Sequence, residues 1–273
     1  MIETFIGFDS AWSKNNRGAI CAAQFDGSQL LREHPPELLT FAQASEYVRH
    51  LHSTSDYTLI AIDQPTIVPN ATGMRPVEKV AASVVSWVGG GVQPANRSKA
   101  ELFGNDAPIW SFLTTGEVQQ DPFSNIEARI GVHAIEVFPA LSLPAMHEKF
   151  CGRKLAAKYN PANRKKFKPD DWTLVCDVAM SLCKQASLEL LWHAMSDCSG
   201  LSKLHKNDQD RVDAVLCLTI ALAWHRRVDL KLAVIGDLRT GYIVTVINDI
   251  TTMRLRQSAA KNGVSFVERN DLS

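Results

Sequence analysis

Short apolar segments separated by polar turns open the chain and predict three strands. The first segment, residues 2–12, begins with strand-forming side chains. Within it, Gly7 lets a neighbouring backbone approach closely, and Asp9 stands where the apolar segment ends. A polar turn leads to the second segment, residues 18–25, and an Asp-Gly turn leads to the third, residues 28–32. This pattern predicts three consecutive antiparallel strands.

Pro35 and Pro36 are predicted to end this part of the sheet before a helix begins. Residues Phe41–His52 place apolar side chains on one face at a spacing of about 3.6, which is the period of a helix. The next segment, Tyr57–Ile62, is continuously apolar, which is typical of a strand buried on both faces, and Asp63 follows it. The sequence therefore places a second acid at the end of a strand.

Residues 64–131 have the least regular pattern and contain several prolines and three consecutive glycines. One helix is predicted at residues 76–87, with Glu78 in the first turn, where the helix dipole favours an acid. A mostly irregular segment of this length is usually functional, so we interpret it as a lid or substrate wall. Residues 133–137 then predict a strand in which Glu136 faces away from its apolar neighbours.

Three acids precede residues 214–224, a helix that is apolar nearly all round and should therefore be buried. Asp208 and Asp210 have a structural interpretation as N-terminal cap and first-turn acids. Asp213 lacks that interpretation and lies three positions after Asp210 on the same side of the helix. Residues 232–247 then predict an antiparallel hairpin.

Composition indicates a globular protein with no overall attraction for a polyanion. The 273 residues, 45% of them hydrophobic, suffice for a single domain of residues 1–273 that carries residues 64–131 as an insertion, and the formal net charge is zero. No segment has the pattern of a signal peptide or the roughly 20 apolar residues of a membrane span, and the six cysteines form no Cys-x-x-Cys pair. We expect buried thiols, no membrane partner and a cytoplasmic location; the oligomeric state is left open.

Charge is one-sided only between residues 153 and 168, which include Lys154 and Lys165 and contain no acid. Such a run is more often a solvated face than a binding site. It is nevertheless the only strongly basic segment in the sequence, and it could contact the phosphates of a nucleic acid.

The acids in these settings predict a metal site. Asp9 and Asp63 follow strands, Glu136 lies within one, and Asp210 and Asp213 open a buried helix, although each alone could be a turn, cap or paired acid. Ligands gather where the strands of an open α/β sheet end. Carboxylates that converge there repel one another unless cations neutralise them, and oxygen ligands suit Mg²⁺ or Mn²⁺. Two such ions could catalyse phosphodiester hydrolysis.

Several short motifs resemble a known family. The order of strands and the late buried helix with its aspartates look like the ribonuclease H-like fold, and Asp-Arg-Val-Asp-Ala is similar to the Asp-x-x-Asp-Ala segment of Holliday-junction resolvases. More closely, five phrases resemble the family called domain of unknown function 429, described as predicted nucleases of that fold. These phrases are Gly-Phe-Asp-Ser-Ala-Trp (7–12), Ile-Ala-Ile-Asp-Gln-Pro (60–65), Gly-Met-Arg-Pro-Val-Glu (73–78), Ile-Glu-Val-Phe-Pro-Ala (135–140) and Asp-Arg-Val-Asp-Ala (210–214).

The resemblance implies an α/β fold in which antiparallel strands and parallel strands share one sheet flanked by helices. It also implies a metal-dependent nuclease with a two-metal carboxylate site. The acidic-site candidates it implies are Asp9, Asp63, Glu136 and Asp213, with Arg75 and Glu78 as a second pair.

Two other classes of function remain open from the sequence. A retained fold could serve as a non-catalytic binding module, with its acids paired to Arg75, Arg97 or Arg211. An actin-like nucleotide-binding phosphotransferase is the third possibility, but the chain shows no repeat of its first strand and no phosphate-binding Gly-x-x-x-x-Gly-Lys loop.

Overall fold

The computed structural model describes residues 1–272. Its strands are β1 (Ile2–Asp9), β2 (Gly18–Asp26), β3 (Gln29–Leu39), β4 (Tyr57–Ile62), β5 (Gly131–Glu136), β6 (Leu232–Asp237), β7 (Gly241–Val246) and β8 (Phe266–Glu268). Its α-helices are α1 (Phe41–His52), α2 (Pro76–Val85), α3 (Ala100–Phe103), α4 (Pro108–Thr115), α5 (Pro139–Met146), α6 (Pro169–Gln185), α7 (Glu189–Ser199), α8 (Lys206–Trp224) and α9 (Asp249–Asn262).

The larger sheet contains both antiparallel and parallel strands. Its order is β3-β2-β1-β4-β5, in which β1, β2 and β3 pair antiparallel while β4 pairs parallel with both β1 and β5. Helices cover it, with α8 against β1 and β2 on one side. This is the mixed α/β sheet that the sequence predicts, and it is consistent with a ribonuclease H-like fold.

A smaller antiparallel sheet follows the long buried helix. Its order is β7-β6-β8, and β6 with β7 forms the predicted hairpin. A parallel bridge between Val137 and Val244 connects this sheet to the end of β5. Helices α2 and α9 pack together with it in a separate apolar cluster that includes Val80, Ile235 and Leu255.

The prediction that Pro35 and Pro36 end the sheet is wrong, because β3 continues through both prolines to Leu39. The strand lies at the edge of the sheet, so a proline there need not donate a hydrogen bond to a second neighbour. The pairing register also shifts between Ile20 and Ala22 of β2, opposite the two prolines. A bulge at this point accommodates the missing amide donors.

Gly7 lets α8 pack directly on β1. A Cβ atom at this position would lie 2.0 Å from the carbonyl oxygen of Ala214 and 2.4 Å from the backbone nitrogen of Leu218. Only glycine permits this approach, since any side chain would force the helix and the strand apart. The contact places the first turns of α8 beside the carboxyl end of β1.

Residues 64–131 are more structured than the sequence indicates. They contain α2 as predicted, although it ends at Val85, and also α3 and α4. Phe112 of α4 packs against Phe8 of β1 and Phe41 of α1, so part of this segment covers the sheet.

Among residues 1–272, no helix has the length and apolar character needed to cross a bilayer. All six cysteines are free thiols, and Cys151 is the one that is partly exposed.

Candidate active site

Asp9 and Asp63 lie side by side where two parallel strands end. Asp9 is the last residue of β1, and Asp63 follows the last residue of β4. The backbone nitrogen of Asp63 donates a 2.9 Å hydrogen bond to the carbonyl oxygen of Phe8, which extends the ladder by one residue. The parallel pairing therefore brings together the two acids that the sequence assigned to strand ends.

Asp213 joins them from the second turn of α8. It is only 5% exposed, and both of its carboxylate oxygens accept hydrogen bonds. Tyr159 Oη donates to Oδ1 at 2.7 Å, and Gln209 Nε2 donates to Oδ2 at 3.0 Å. These two contacts fix the orientation of the Asp213 side chain.

Burial and neighbouring carboxylates raise the pKa values of all three acids. Burial raises the pKa of Asp9 well above its usual range, and the charges of Asp213 and Asp63 add to this rise. Burial and the charge of Asp213 act in the same way on the pKa of Asp63. For Asp213, burial raises the pKa to about 6, although Lys206 and the hydrogen bond from Tyr159 oppose the rise. The site therefore holds more negative charge than the protein compensates, and a bound cation would stabilise it.

Lys206 brings a positive charge to this group. It begins α8, and its Nζ forms an ion pair with Asp210 Oδ1. Burial lowers the pKa of Lys206, but attraction to Asp9 and Asp213 outweighs burial, so the pKa is raised. Asp210, which the sequence suggested as a metal ligand, is thus paired with a lysine one helical turn away.

The residues suit a hydrated divalent cation better than a cage made of protein ligands. Within residues 1–272, the carboxylates of Asp9 and Asp63 accept no hydrogen bond from the protein, so their oxygens are available. In the same range, no group of three or more His, Cys, Asp or Glu side chains is arranged to hold a metal ion. Mg²⁺ is commonly bound by one or two carboxylates while it keeps several waters. Asp9 and Asp63 provide such a pair.

Glu136 does not join this group through its own oxygens. Arg75 binds it with two hydrogen bonds, Nη1 to Oε2 at 2.9 Å and Nη2 to Oε1 at 2.6 Å, and the backbone nitrogen of Thr66 donates to Oε2. The Nε of Arg75 donates to Glu78 Oε1 at 2.8 Å. Arg75, Glu78 and Glu136 are each at most 2% exposed. The arrangement favours a structural role for all three, and a metal-binding role for Glu136 stays a prediction.

Two openings reach the acids from different sides. A cleft of about 670 Å³ is lined by Asp9, Asp210, Lys206 and Arg17, together with the polar side chains of Asn15, Asn16 and Asn207. A smaller cavity of about 270 Å³ is lined by Asp63 and the Arg75 network. Trp12 lines both, with a backbone φ of 57° and a 2.9 Å hydrogen bond from Nε1 to the carbonyl oxygen of Asp63. The left-handed φ is uncommon for such a bulky residue, and such strain is concentrated at functional sites.

The basic segment of residues 153–168 reaches the site through Tyr159. Lys154 and Lys165 are exposed, and the ion pairs formed within residues 1–272 do not join either lysine to the acids. Tyr159, which lies between these two lysines in the sequence, is buried and donates the hydrogen bond to Asp213. The backbone nitrogen of Lys158 also bonds Asp171 at the start of α6, at 2.8 Å, which holds the segment in place. Tyr159 therefore connects this basic segment to the acids.

Sequence reasoning missed several residues of this site, among them Trp12, Tyr159, Lys206 and Gln209. Gln209 and Lys206 precede Asp213 by one and two helical turns, so a helical projection that includes Asp213 could have found them. Tyr159 had a weaker signal, as an aromatic residue within a basic run. Nothing in the local sequence indicated that Trp12 borders both openings to the acids.

The fold and the site together define the class of this protein. It is an α/β protein whose buried acids meet at the carboxyl ends of β1 and β4. The chain matches the family model described as Protein of unknown function (DUF429) over residues 7–229, and it belongs to that family. Comparisons with curated proteins and with solved structures each gave no match.

Proposed function

We propose that this protein is a metal-dependent hydrolase that cleaves phosphodiester bonds in nucleic acid. The observation that carries the proposal is the pair of neighbouring carboxylates, Asp9 and Asp63, which have raised pKa values and no hydrogen-bond donor within residues 1–272. Keeping two such groups together costs free energy unless a cation binds them. Structural acids are instead normally paired, as Glu136 is with Arg75.

Mg²⁺ or Mn²⁺ held by Asp9 and Asp63 would supply Lewis-acid stabilisation of phosphate charge and a more acidic water. Asp213, oriented by Tyr159 and Gln209, adds its negative charge beside that pair. Lys206 and Arg17 line the wider cleft, where they can contact the phosphates that flank the cleaved bond. The form with two ions, expected from the sequence, would need Asp213 or Asp210 to bind metal as well, through a carboxylate lone pair that its present partner leaves free.

Local charge supports a polyanionic substrate even though the net charge of the chain is zero. The basic segment of residues 153–168 is attached to the site by Tyr159, and Lys206 and Arg17 border the acids. Phosphate contacts of this kind position a nucleic acid without specifying its sequence. The free thiols support the reducing cytoplasm as the compartment.

A non-catalytic binding module is the second candidate. It is favoured by the partners that Asp210 and Asp213 already have, namely Lys206 for the first and Tyr159 with Gln209 for the second. In this case the acids would stabilise the fold without binding metal.

Replacement of Asp9 separates the two candidates. The wild type, Asp9→Asn and the exposed control Asp197→Asn are assayed on RNA, DNA, RNA–DNA hybrids and branched junctions, with Mn²⁺ or with EDTA. We expect Mn²⁺-dependent cleavage by the wild type and the control, and a loss of at least about 100-fold in Asp9→Asn. A wild type that is inactive on every substrate, or an Asp9→Asn variant as active as the wild type, contradicts the proposal.

Calorimetric titration with Mn²⁺ gives an independent reading. A hydrolase of this kind takes up the ion in a manner that depends on Asp9, whereas the binding module shows no such uptake.

A further inference from the structure

The smaller cavity is an apolar recess that opens next to Asp63. Its volume is about 270 Å³, just below the roughly 300 Å³ at which cavities begin to hold drug-sized ligands, so it suits one ring system. The uncharged walls come from the ends of the strands and from the inserted segment. Its apolar and aromatic side chains are Trp12, Pro65, Val92, Phe138 and Ile243.

One polar wall residue, Gln64, has a buried amide group without a complete set of partners. Gln64 is 1% exposed and accepts a hydrogen bond from Ser10 Oγ through Oε1, whereas its Nε2 has no partner within residues 1–272. Exchanging the amide oxygen and nitrogen would leave the oxygen unpartnered instead, because Ser10 can accept as well as donate. Because this nitrogen is buried, the Gln64 side chain must rotate slightly for a ligand atom to reach it and recover the free energy that the missing partner costs.

The charged residues of the cavity do not make it a phosphate site. The Nε of Arg75 is bonded to Glu78, its Nη2 to Glu136, and its Nη1 to Glu136 and to the carbonyl oxygen of Ile67. Its guanidinium is thus committed to the protein, and the remaining charged wall residue, Asp63, would repel an anion. The cavity therefore selects a neutral, flat group that can hydrogen-bond to an amide and contact aromatic rings.

We propose that this cavity binds a single unpaired nucleobase of the polymer whose phosphodiester lies at Asp9 and Asp63. This inference rests on the proposed function, since the phosphodiester at the acids is what brings a base to the recess. A base that leaves its stack is commonly bound by aromatic or apolar contacts together with hydrogen bonds to its edge. Trp12, which borders both openings, separates the base from the phosphate. The substrate is accordingly single-stranded, or is unpaired at the cleaved position.

The test uses nucleosides, because they contain the base but no phosphate. Adenosine, guanosine, cytidine and uridine are titrated calorimetrically into the full chain in EDTA, so that divalent ions play no part. Ribose 5-phosphate is the probe without a base. The variants are Gln64→Leu, which removes the amide, and Val92→Trp, which fills the recess; Gln257→Leu, on the exposed face of α9, is the matched control. Thermal unfolding verifies that each variant is folded.

We expect at least one nucleoside to bind the wild type and the control with equal affinity, and ribose 5-phosphate not to bind. Gln64→Leu should weaken binding about tenfold, the effect of one hydrogen bond, and Val92→Trp should abolish it. The inference is overturned if no nucleoside binds at millimolar concentration, if ribose 5-phosphate competes, or if a folded Val92→Trp variant binds like the wild type.

These results can be separated from those of the hydrolase assay. Cleavage without nucleoside binding overturns the nucleobase site and leaves the hydrolase proposal in place. Nucleoside binding to a protein that cleaves nothing supports the recess as a nucleobase site and contradicts the hydrolase proposal.

Discussion

Tyr159 Oη donates a 2.7 Å hydrogen bond to Asp213 Oδ1, and this contact joins the basic segment of residues 153–168 to the acids at the ends of β1 and β4. Both side chains are buried. The hydrogen bond opposes the rise in the pKa of Asp213 and at the same time holds the segment against the site. One contact therefore affects both the electrostatics of the acids and the placement of the positive charge.

Tyr159→Phe should raise the pKa of Asp213 above about 6, because the variant removes a donor to its charged form. We expect a loss of about 1–3 kcal/mol in the free energy of unfolding at neutral pH, since a hydrogen bond to a charged group is lost. Carbon-detected NMR titration of Asp213 and urea unfolding measure the two effects. Tyr47→Phe is the matched control, because the buried hydroxyl of Tyr47 has no partner within residues 1–272. A Tyr47→Phe variant destabilised as much as Tyr159→Phe would contradict this explanation.

Glu136→Gln should lower the free energy of unfolding by about 3–5 kcal/mol, because it leaves the buried Arg75 without its bidentate partner. Replacing both residues, as in Arg75→Met with Glu136→Leu, should cost less than the sum of the single changes. Urea unfolding of the single and double variants measures this coupling. Normal stability of Glu136→Gln together with lost Mn²⁺ binding would instead favour Glu136 as a metal ligand.

Gly7→Ala should destabilise the protein by about 3 kcal/mol or more, because the added Cβ would lie 2.0 Å from the backbone oxygen of Ala214. It should also reduce Mn²⁺ binding, since the contact between α8 and β1 sets the position of Asp213 relative to Asp9. Gly91→Ala is the control for stability, because a Cβ there would meet nothing within 4 Å. Chemical unfolding and calorimetry are the measurements, and a Gly7→Ala variant of wild-type stability would disprove the close contact.

Mn²⁺ affinity should increase as the pH rises. The pKa values of Asp9, Asp63 and Asp213 are all raised, so these acids are partly protonated where ordinary aspartates are charged, and metal must displace their protons. Affinity should therefore be low below pH 6, close to the value for Asp213, and should rise above it. Titrations in buffers of different ionisation enthalpy measure the released protons. Affinity that is constant between pH 5 and pH 8 would show that these acids do not bind the ion.

His225 should make the fold less stable in acid. Burial, followed by the charges of nearby arginines, lowers its pKa from 6.5 to about 3, and its Nε2 bonds the hydroxyl of Tyr57 at 2.9 Å. Below pH 6.5 the unfolded chain binds a proton at His225 that the folded chain does not. His225 therefore leaves the free energy of unfolding unchanged above pH 6.5 and lowers it by about 1.4 kcal/mol per pH unit below that value. Unfolding at several pH values measures the slope. His225→Gln should reduce this slope, and an unchanged slope would assign acid sensitivity to other groups.

Local periodicity was enough to predict most elements of the fold. Helix α1 and strand β4 have the predicted bounds, because an apolar face at helical spacing and a continuous apolar run are properties of neighbouring residues. Local periodicity could not predict that β3 continues through Pro35 and Pro36. Whether prolines end a strand depends on whether that strand is at an edge, and the pairing with β2 decides this.

The sequence by itself determined that Asp9 and Asp63 would each lie at the end of a strand, and the parallel pairing of β1 with β4 then brings both ends to the same edge of the sheet. It could not determine which acids remain available. Glu136 ends the next strand in the same manner, yet only the folded chain brings Arg75 to its oxygens, and only the folded chain brings Tyr159 to Asp213. Strand position follows from patterns among neighbours along the chain, whereas the charge and availability of a buried carboxylate depend on partners that are distant in sequence and adjacent in space.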